Sequence, residues 1–351
     1  MKKLTVWLTA SAAAAAVAVA GAIMAGQASA RSAGAADRAS YPPKHAKFKH
    51  PKLRNGVLTI TGTKASEKIA LRLKTGDPGI LEIDVGDDGS ADFSFARNAI
   101  TKIALDARAG NDVVRIDESN GAFTDSIPTR LAGGSGADTI SGGKGAETLI
   151  GGAGNDSIDG NGGNDVAQLG AGDDTFVWDP GDGSDTVEGQ TGTDTMVFNG
   201  ANAAELVDLS ANGSRLKLFR NPGNITMDTA GVERVDFNAL GGADVITVND
   251  LSGTDVSRVN VDLAGTLGGA TGDGQADRVI VNGTDRNDAI DVSGDASIVK
   301  VSGLAATTAI LHSEVAKDRL EVNTLAGADT VASLGLAAGS IQFFVDGVVV
   351  L

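Results

Sequence analysis

Apolar positions along this chain recur with a period too long for a helix and too regular for a globular core. From residue 133 to residue 177 a nine-residue unit repeats without a gap as GGSGADTIS, GGKGAETLI, GGAGNDSID, GNGGNDVAQ and LGAGDDTFV. After two extra residues, Trp178 and Asp179, it resumes as PGDGSDTVE and GQTGTDTMV and ends at residue 197. The eighth place of these seven units is filled by Ile140, Leu149, Ile158, Ala167, Phe176, Val187 and Met196. Side chains alternate across a strand, so one inward residue per unit predicts a very short strand at places seven to nine. Glycines at the first, second and fourth places supply the positive φ that a tight turn needs. Two units then close one coil of 18 residues, and coils stack at strand spacing, roughly 4.8 Å.

The same logic on a larger scale describes the flanks. Three wider units open at Gly62, Gly200 and Gly283, each with an acidic residue at +5 and an apolar one at +7. They close on a strand and half a nonapeptide over residues 103–112, 235–244 and 320–329. Alternating β-branched segments at 57–61, 259–263 and 298–301 predict strands, and nothing after the amino-terminal segment predicts a sustained helix. The expected fold is all-β: a parallel β-roll or β-solenoid with flanking degenerate β-repeat modules. It divides into modules at 56–132, 198–282 and 283–351 around a roll at 133–197. The flanks are either coils of the same solenoid or small β-modules stacked on it.

Composition adds a charge problem. Gly accounts for 48 of 351 residues and aromatics for 4%, so the core must be thin and repetitive. Net charge is −16, and residues 133–197 hold 12 acidic side chains against one basic residue, Lys144. Sixth-place carboxylates 18 residues apart, Asp138, Asp156 and Asp174, fall into one column, and Glu147 and Asp165 begin the opposite one. Like charges about 4 Å apart repel by about 1 kcal/mol in water and about 4 at an effective dielectric of 20. An acidic chain excludes nucleic acid as a partner and invites cations. With no Cys and only three His, the available donors are oxygens, which suit a hard metal.

The units resemble the repeats-in-toxin (RTX, hemolysin-type) nonapeptide Gly-Gly-x-Gly-x-Asp-x-apolar-x. The resemblance implies a β-roll with Ca2+ held between turns of successive coils by sixth-place acids and glycine-turn carbonyls. Carried over residue by residue, the ligands are Gly134, Gly136 and Asp138; Gly143, Gly145 and Glu147; Gly152, Gly154 and Asp156; Gly163 and Asp165; Gly172 and Asp174; Gly183 and Asp185; and Asp194. The sequence departs from the pattern at Glu147, longer than Asp, at Asn161 for a second glycine, and at Leu169 and Pro180 for first glycines. The insertion before Pro180 is expected to threaten the column shared by Asp165 and Asp185. Calcium accepts roughly 6–8 oxygens in a flexible shell, whereas magnesium demands an octahedron and keeps its waters.

Weaker signals lie outside the roll. Asp112, Asp244 and Asp329 stand in similar turns, compatible with calcium or with ordinary Gly-Asp turns. Residues 84–92 (DVGDDGSAD) have a calcium-loop composition, but their apolar flanks favour a β-hairpin through Asp88-Gly89, and residues 272–277 are equally weak.

Lys2 and Lys3, an apolar stretch from residue 4 to about residue 24 and Ala28-Ser29-Ala30 predict a signal peptide over 1–30, with an uncleaved anchor as the alternative. A basic linker follows at 31–55. The expected localisation is extracellular or at the cell surface, without membrane insertion after signal removal. No His-Glu-x-x-His or Gly-x-Ser-x-Gly motif occurs, and Tyr41, His45 and His50 lie in the linker. The chain is therefore expected to be a non-enzymatic, secreted calcium-binding protein with a structural or adhesive role. Its partner would be an extracellular or surface polysaccharide or protein. The alternative is a non-catalytic part or divergent member of a polysaccharide-modifying β-helix enzyme family.

Overall fold

The computed structural model describes residues 48–350; the predicted signal peptide, its cleavage site and most of the basic linker lie outside the described residues. Two long sheets, of 15 and 14 strands, run the length of the described chain. In the roll each coil adds one parallel strand to each sheet. Glu147–Ala153 pairs with Thr129–Ser135 and Val166–Ala171 in the first sheet, and Ser157–Asp159 pairs with Thr139–Ser141 and Thr175–Trp178 in the second. The register places Leu149 opposite Leu131 and Ile158 opposite Phe176, the 18-residue coil anticipated from the repeat.

All seven eighth-place residues are buried and line the gap between the sheets. The inserted pair Trp178-Asp179 lengthens the next coil from 18 to 20 residues, so that Ala167 faces Val187 and Phe176 faces Met196. Trp178 turns inward and stacks on Phe198 at 4.0 Å, and Phe198 stacks in turn on Phe237. The larger coil thus fills its added width with aromatic rings, offsetting the extra backbone with buried apolar area.

The flanks continue the same two sheets, and each of the three wider units has one topology. Its opening acid (Glu67, Glu205 or Asp288) leads directly into a three-stranded antiparallel meander. These are Lys68–Lys74, Asp77–Val85 and Phe93–Ala96; Leu206–Asn212, Arg215–Arg220 and Ile225–Ala230; and Ala289–Gly294, Ile298–Ser302 and Thr307–Leu311. The chain then returns on a parallel strand, turns at Asp112, Asp244 or Asp329, and pairs a following strand in parallel with the first strand of its own meander. Degenerate coils and small β-modules therefore coexist: each coil carries a meander as its insertion.

Strands at Val57–Thr61, Arg258–Asp262 and Ile298–Ser302 match expectation, and the only helical elements among the described residues are two short 3-10 turns, Arg97–Ala99 and Pro222–Asn224. The apolar carboxyl end closes on itself. Gln342–Val345 pairs with Arg319–Asn323, and Val348–Val349 folds back antiparallel on it.

Candidate metal centre

The sixth-place acids sit where the chain leaves each glycine turn and enters the next strand, and there they form a ladder. The backbone N–H of Asp138 donates to Asp156 Oδ1 at 2.8 Å, that of Asp156 to Asp174 Oδ1 at 2.7 Å, and that of Asp174 to Asp194 Oδ1 at 2.9 Å. On the opposite edge Glu147 N–H donates to Asp165 Oδ1 at 2.7 Å and Asp165 N–H to Asp185 Oδ1 at 2.8 Å. The expected break at the insertion does not occur. The two added residues are absorbed between Trp178 and Gly183, whose carbonyl accepts the Trp178 indole N–H at 2.8 Å, and the turns stay in register.

One oxygen of each carboxylate is thus spoken for, and the other has no partner. Oδ2 of Asp138, Asp156, Asp165, Asp174, Asp185 and Asp194, and Oε1 of Glu147, are buried without a hydrogen bond. An unmet buried acceptor costs about 1–3 kcal/mol, more when charged. Burial accordingly lifts these acids above the usual carboxylate range: Asp156, Asp185 and Glu147 to about 7, Asp194 to about 6 and Asp165 to about 9, with neighbouring carboxylates adding to the rise. Asp138 and Asp174 shift in the same direction for the same cause.

Glycine shapes the cradle around these atoms. Gly154 holds φ +124°, and a Cβ there would lie 2.2 Å from the Gly136 carbonyl oxygen of the coil before. Only a glycine allows backbones to stack this closely in that conformation. Gly134, Gly136, Gly152, Gly163 and Gly172 share the left-handed region, and Asn161 reaches it at φ 56°. Gly143, Gly145 and Gly183 do not. Gly143 and Gly145 end the second column, where Glu147 accepts the Gly143 N–H at 2.6 Å and Thr124 Oγ1 accepts that of Gly145 at 3.0 Å.

The first column is longer than the repeats. Asp112 N–H donates to Asp138 Oδ1 and Glu67 N–H to Asp112 Oδ1, both at 2.7 Å, while Asp194 N–H donates to Glu233 at 2.7 Å. Asp112 is buried, its Oδ2 is unpartnered, and burial raises it to about 6. The half-nonapeptide around it was the available signal for Asp112. Glu233 follows a 39-residue excursion that no local period announces.

Asp329 receives the Asp288 N–H at 2.8 Å but leaves no orphaned oxygen. The loop at 84–92 is structural. Asp84 is held by Arg72 at 2.8 Å and by the N–H groups of Asp88 and Gly89, so it caps the hairpin that joins Asp77–Val85 to Phe93–Ala96.

Among the described residues no three acidic or imidazole side chains converge on one point. A cation in this cradle must therefore be shared between orphaned carboxylate oxygens of successive coils and carbonyls of the glycine turns. That is an all-oxygen, irregular donor set, which fits calcium. Fold and site together define a calcium-binding β-roll protein. Residues 129–158, 141–176 and 181–202 match the RTX calcium-binding nonapeptide repeat, present in four copies. The match covers the roll and leaves most of both flanks outside it.

No curated protein matches the chain. Among solved structures, the extracellular lipase LipA from Serratia marcescens is similar at 11% identity, over 61% of this chain and 43% of the lipase, with a TM-score of 0.18. The alignment spans less than half of that enzyme, and a likeness of that size carries no argument about fold or activity.

Proposed function

We propose that this is a secreted, non-catalytic protein whose roll folds on calcium and so presents a rigid β-solenoid outside the cell, in a structural or adhesive role. The bound ions would be held by Asp112, Asp138, Asp156, Asp174 and Asp194 on one edge and by Glu147, Asp165 and Asp185 on the other, with glycine-turn carbonyls between. The observation that carries this reading is the column of buried, unpartnered carboxylate oxygens. An open cleft of about 670 Å³ lies beside the second column. Two acids line it: Glu118 accepts the backbone N–H groups of Phe123, Thr124 and Lys144, and Asp182 accepts that of Asp179. A polysaccharide or protein of the cell surface is the partner class a long repetitive face would engage.

The test is a calcium titration of the chelated full chain followed by circular dichroism, with magnesium as control. A cooperative gain of β signal at about 10⁻⁴ to 10⁻³ M calcium, typical of extracellular modules, and none with magnesium is expected. Identical spectra and melting in chelator and in calcium would overturn the proposal.

A further inference from the structure

Beyond residue 202, where the nonapeptide match ends, a second ladder of acids runs through the carboxyl-terminal flank. Glu205 N–H donates to Asp244 Oδ1 at 2.8 Å, Asp244 N–H to Asp277 Oδ1 at 2.8 Å and Asp277 N–H to Asp318 Oδ1 at 3.1 Å. The sequence separations are 39, 33 and 41 residues, so the nonapeptide period does not mark it, and the wider unit opening at Gly200 marks only Glu205 and Asp244. The main chain repeats the roll's arrangement nonetheless. Val245 N–H donates to the Glu205 carbonyl and Arg278 N–H to the Asp244 carbonyl, both at 2.8 Å, as Ser157 and Thr175 N–H do to Asp138 and Asp156 at 2.8 Å. Gly242 adopts φ +124°, the value of Gly154.

Two adjacent rungs of this ladder carry the same defect as the roll. Asp244 Oδ2 and Glu205 Oε2 are buried without a partner, in residues each 1% exposed. Cations of the protein itself bracket the pair. Arg220 binds the other oxygen of Glu205, with its Nε at 2.7 Å, and Lys317 Nζ donates to the Gly274 carbonyl one rung further on. Among the described residues no ion pair reaches Asp244. Asp277 and Asp273 add negative charge around it, and burial together with these neighbours lifts Asp244 to about 8.

We propose that Asp244 and Glu205 hold a divalent cation of the calcium class in the flank, at a site separate from the nonapeptide columns. Two orphaned carboxylate oxygens on successive rungs, beside a glycine turn and without sulfur or imidazole, call for a hard ion. Arg220 neutralises one negative charge of Glu205 and leaves the Asp244 charge for the metal. The ion's identity rests on the calcium reading of the roll; the site's existence does not.

The experiment compares wild type, Asp244→Asn and Asp156→Asn as full chains, using equilibrium dialysis against calcium and amide hydrogen exchange with calcium or chelator. Asn keeps the acceptor for the neighbouring N–H and puts an uncharged NH2 in place of the orphaned oxygen. Asp244→Asn is expected to bind one calcium fewer than wild type and to lose calcium-dependent protection of residues 241–245, while the roll's protection persists. Unchanged stoichiometry in Asp244→Asn, with a drop in Asp156→Asn, overturns this site and leaves the roll standing. If neither variant binds less, the calcium reading of the roll fails as well. Should Asp244→Asn not fold, the wild-type exchange data decide: amides 241–245 indifferent to calcium, while those of the roll respond, sink the proposal.

Discussion

The roll and its flanks share sheets, coils and acid ladders, yet they neutralise buried charge in opposite ways. Apart from the turns at Asp112 and Asp244, the flanks carry their cations in the chain. Arg72 meets Asp84 and Glu82, Arg115 meets Asp87 and Asp117, and Arg278 and Arg319 converge on Glu321. They also replace charge with amide: Asn323 donates to Asn282, Asn282 to Asn249 and Asn249 to Asp208, at 2.8, 2.8 and 2.9 Å, a ladder nearly free of charge. The roll has one basic residue of its own for 12 acids. Among the described residues the flank's cations and side-chain amides reach only its outer carboxylates, Arg215 pairing with Glu188 and Asn199 donating to Asp179, never the sixth-place columns. A solenoid can thus be self-sufficient or dependent on an imported ion, according to which side chain stands at the turn.

The largest effect that would sharpen this contrast is expected in the amino-terminal flank. Arg72→Met leaves Asp84 buried and uncompensated, which should cost about 3–5 kcal/mol equally in calcium and in chelator. A loss that calcium rescues would break the comparison. Next comes Gly154→Ala, which puts a side chain at φ +124° and against the Gly136 carbonyl. Backbone strain alone should cost about 1–3 kcal/mol, and calcium affinity should fall with it. Gly76→Ala, at φ +76° with open space around it, should lower the melting temperature less and leave calcium binding unchanged.

The smallest effect is one of sign with pH. In chelator the folded roll binds more protons than the unfolded chain, because its acids are raised to about 6 (Asp112, Asp194), about 7 (Asp156, Asp185, Glu147) and about 9 (Asp165). Its stability should therefore be fullest in acid, below the ordinary carboxylate values, and fall as pH rises through the folded values. Asp87 in the flank, held below its ordinary value by hydrogen bonds from Arg115, contributes above the unfolded value and is lost as pH falls through the folded one. Protection factors measured region by region from about pH 2 to pH 8 should respond oppositely, the flank losing protection only towards the acid end and the roll only towards the alkaline end. Added calcium should reverse the roll's trend, since its ligands must be deprotonated.

The roll was legible because its contacts are periodic. Once Asp138 is placed, Asp156 and Asp174 follow, and the eighth-place residues follow with them. The tolerance of the column to Trp178-Asp179 was not, since only the inward turn of the tryptophan explains it. Glu233, Asp277 and Asp318 were hidden for a related reason. Each reaches its neighbour across an excursion of 33–41 residues, and neither propensity nor hydrophobic alternation sets the register across such an insertion. The meanders themselves read as strands, but their placement inside coils depends on pairing between distant strands. Of the three half-nonapeptides, Asp112 and Asp244 gained orphaned oxygens and Asp329 did not, a difference of burial that such similar local motifs cannot reveal.

The ladder also has a direction. Past the first acid of a column, each acid clamps the amide of the coil before it, so a chain growing from its amino terminus ends in a coil whose own amide awaits the next. For the first column that wait ends only at Glu233, which receives the Asp194 N–H. The downstream flank is thereby the latch of the roll, and shortening the chain to the nonapeptides would leave its last rung open.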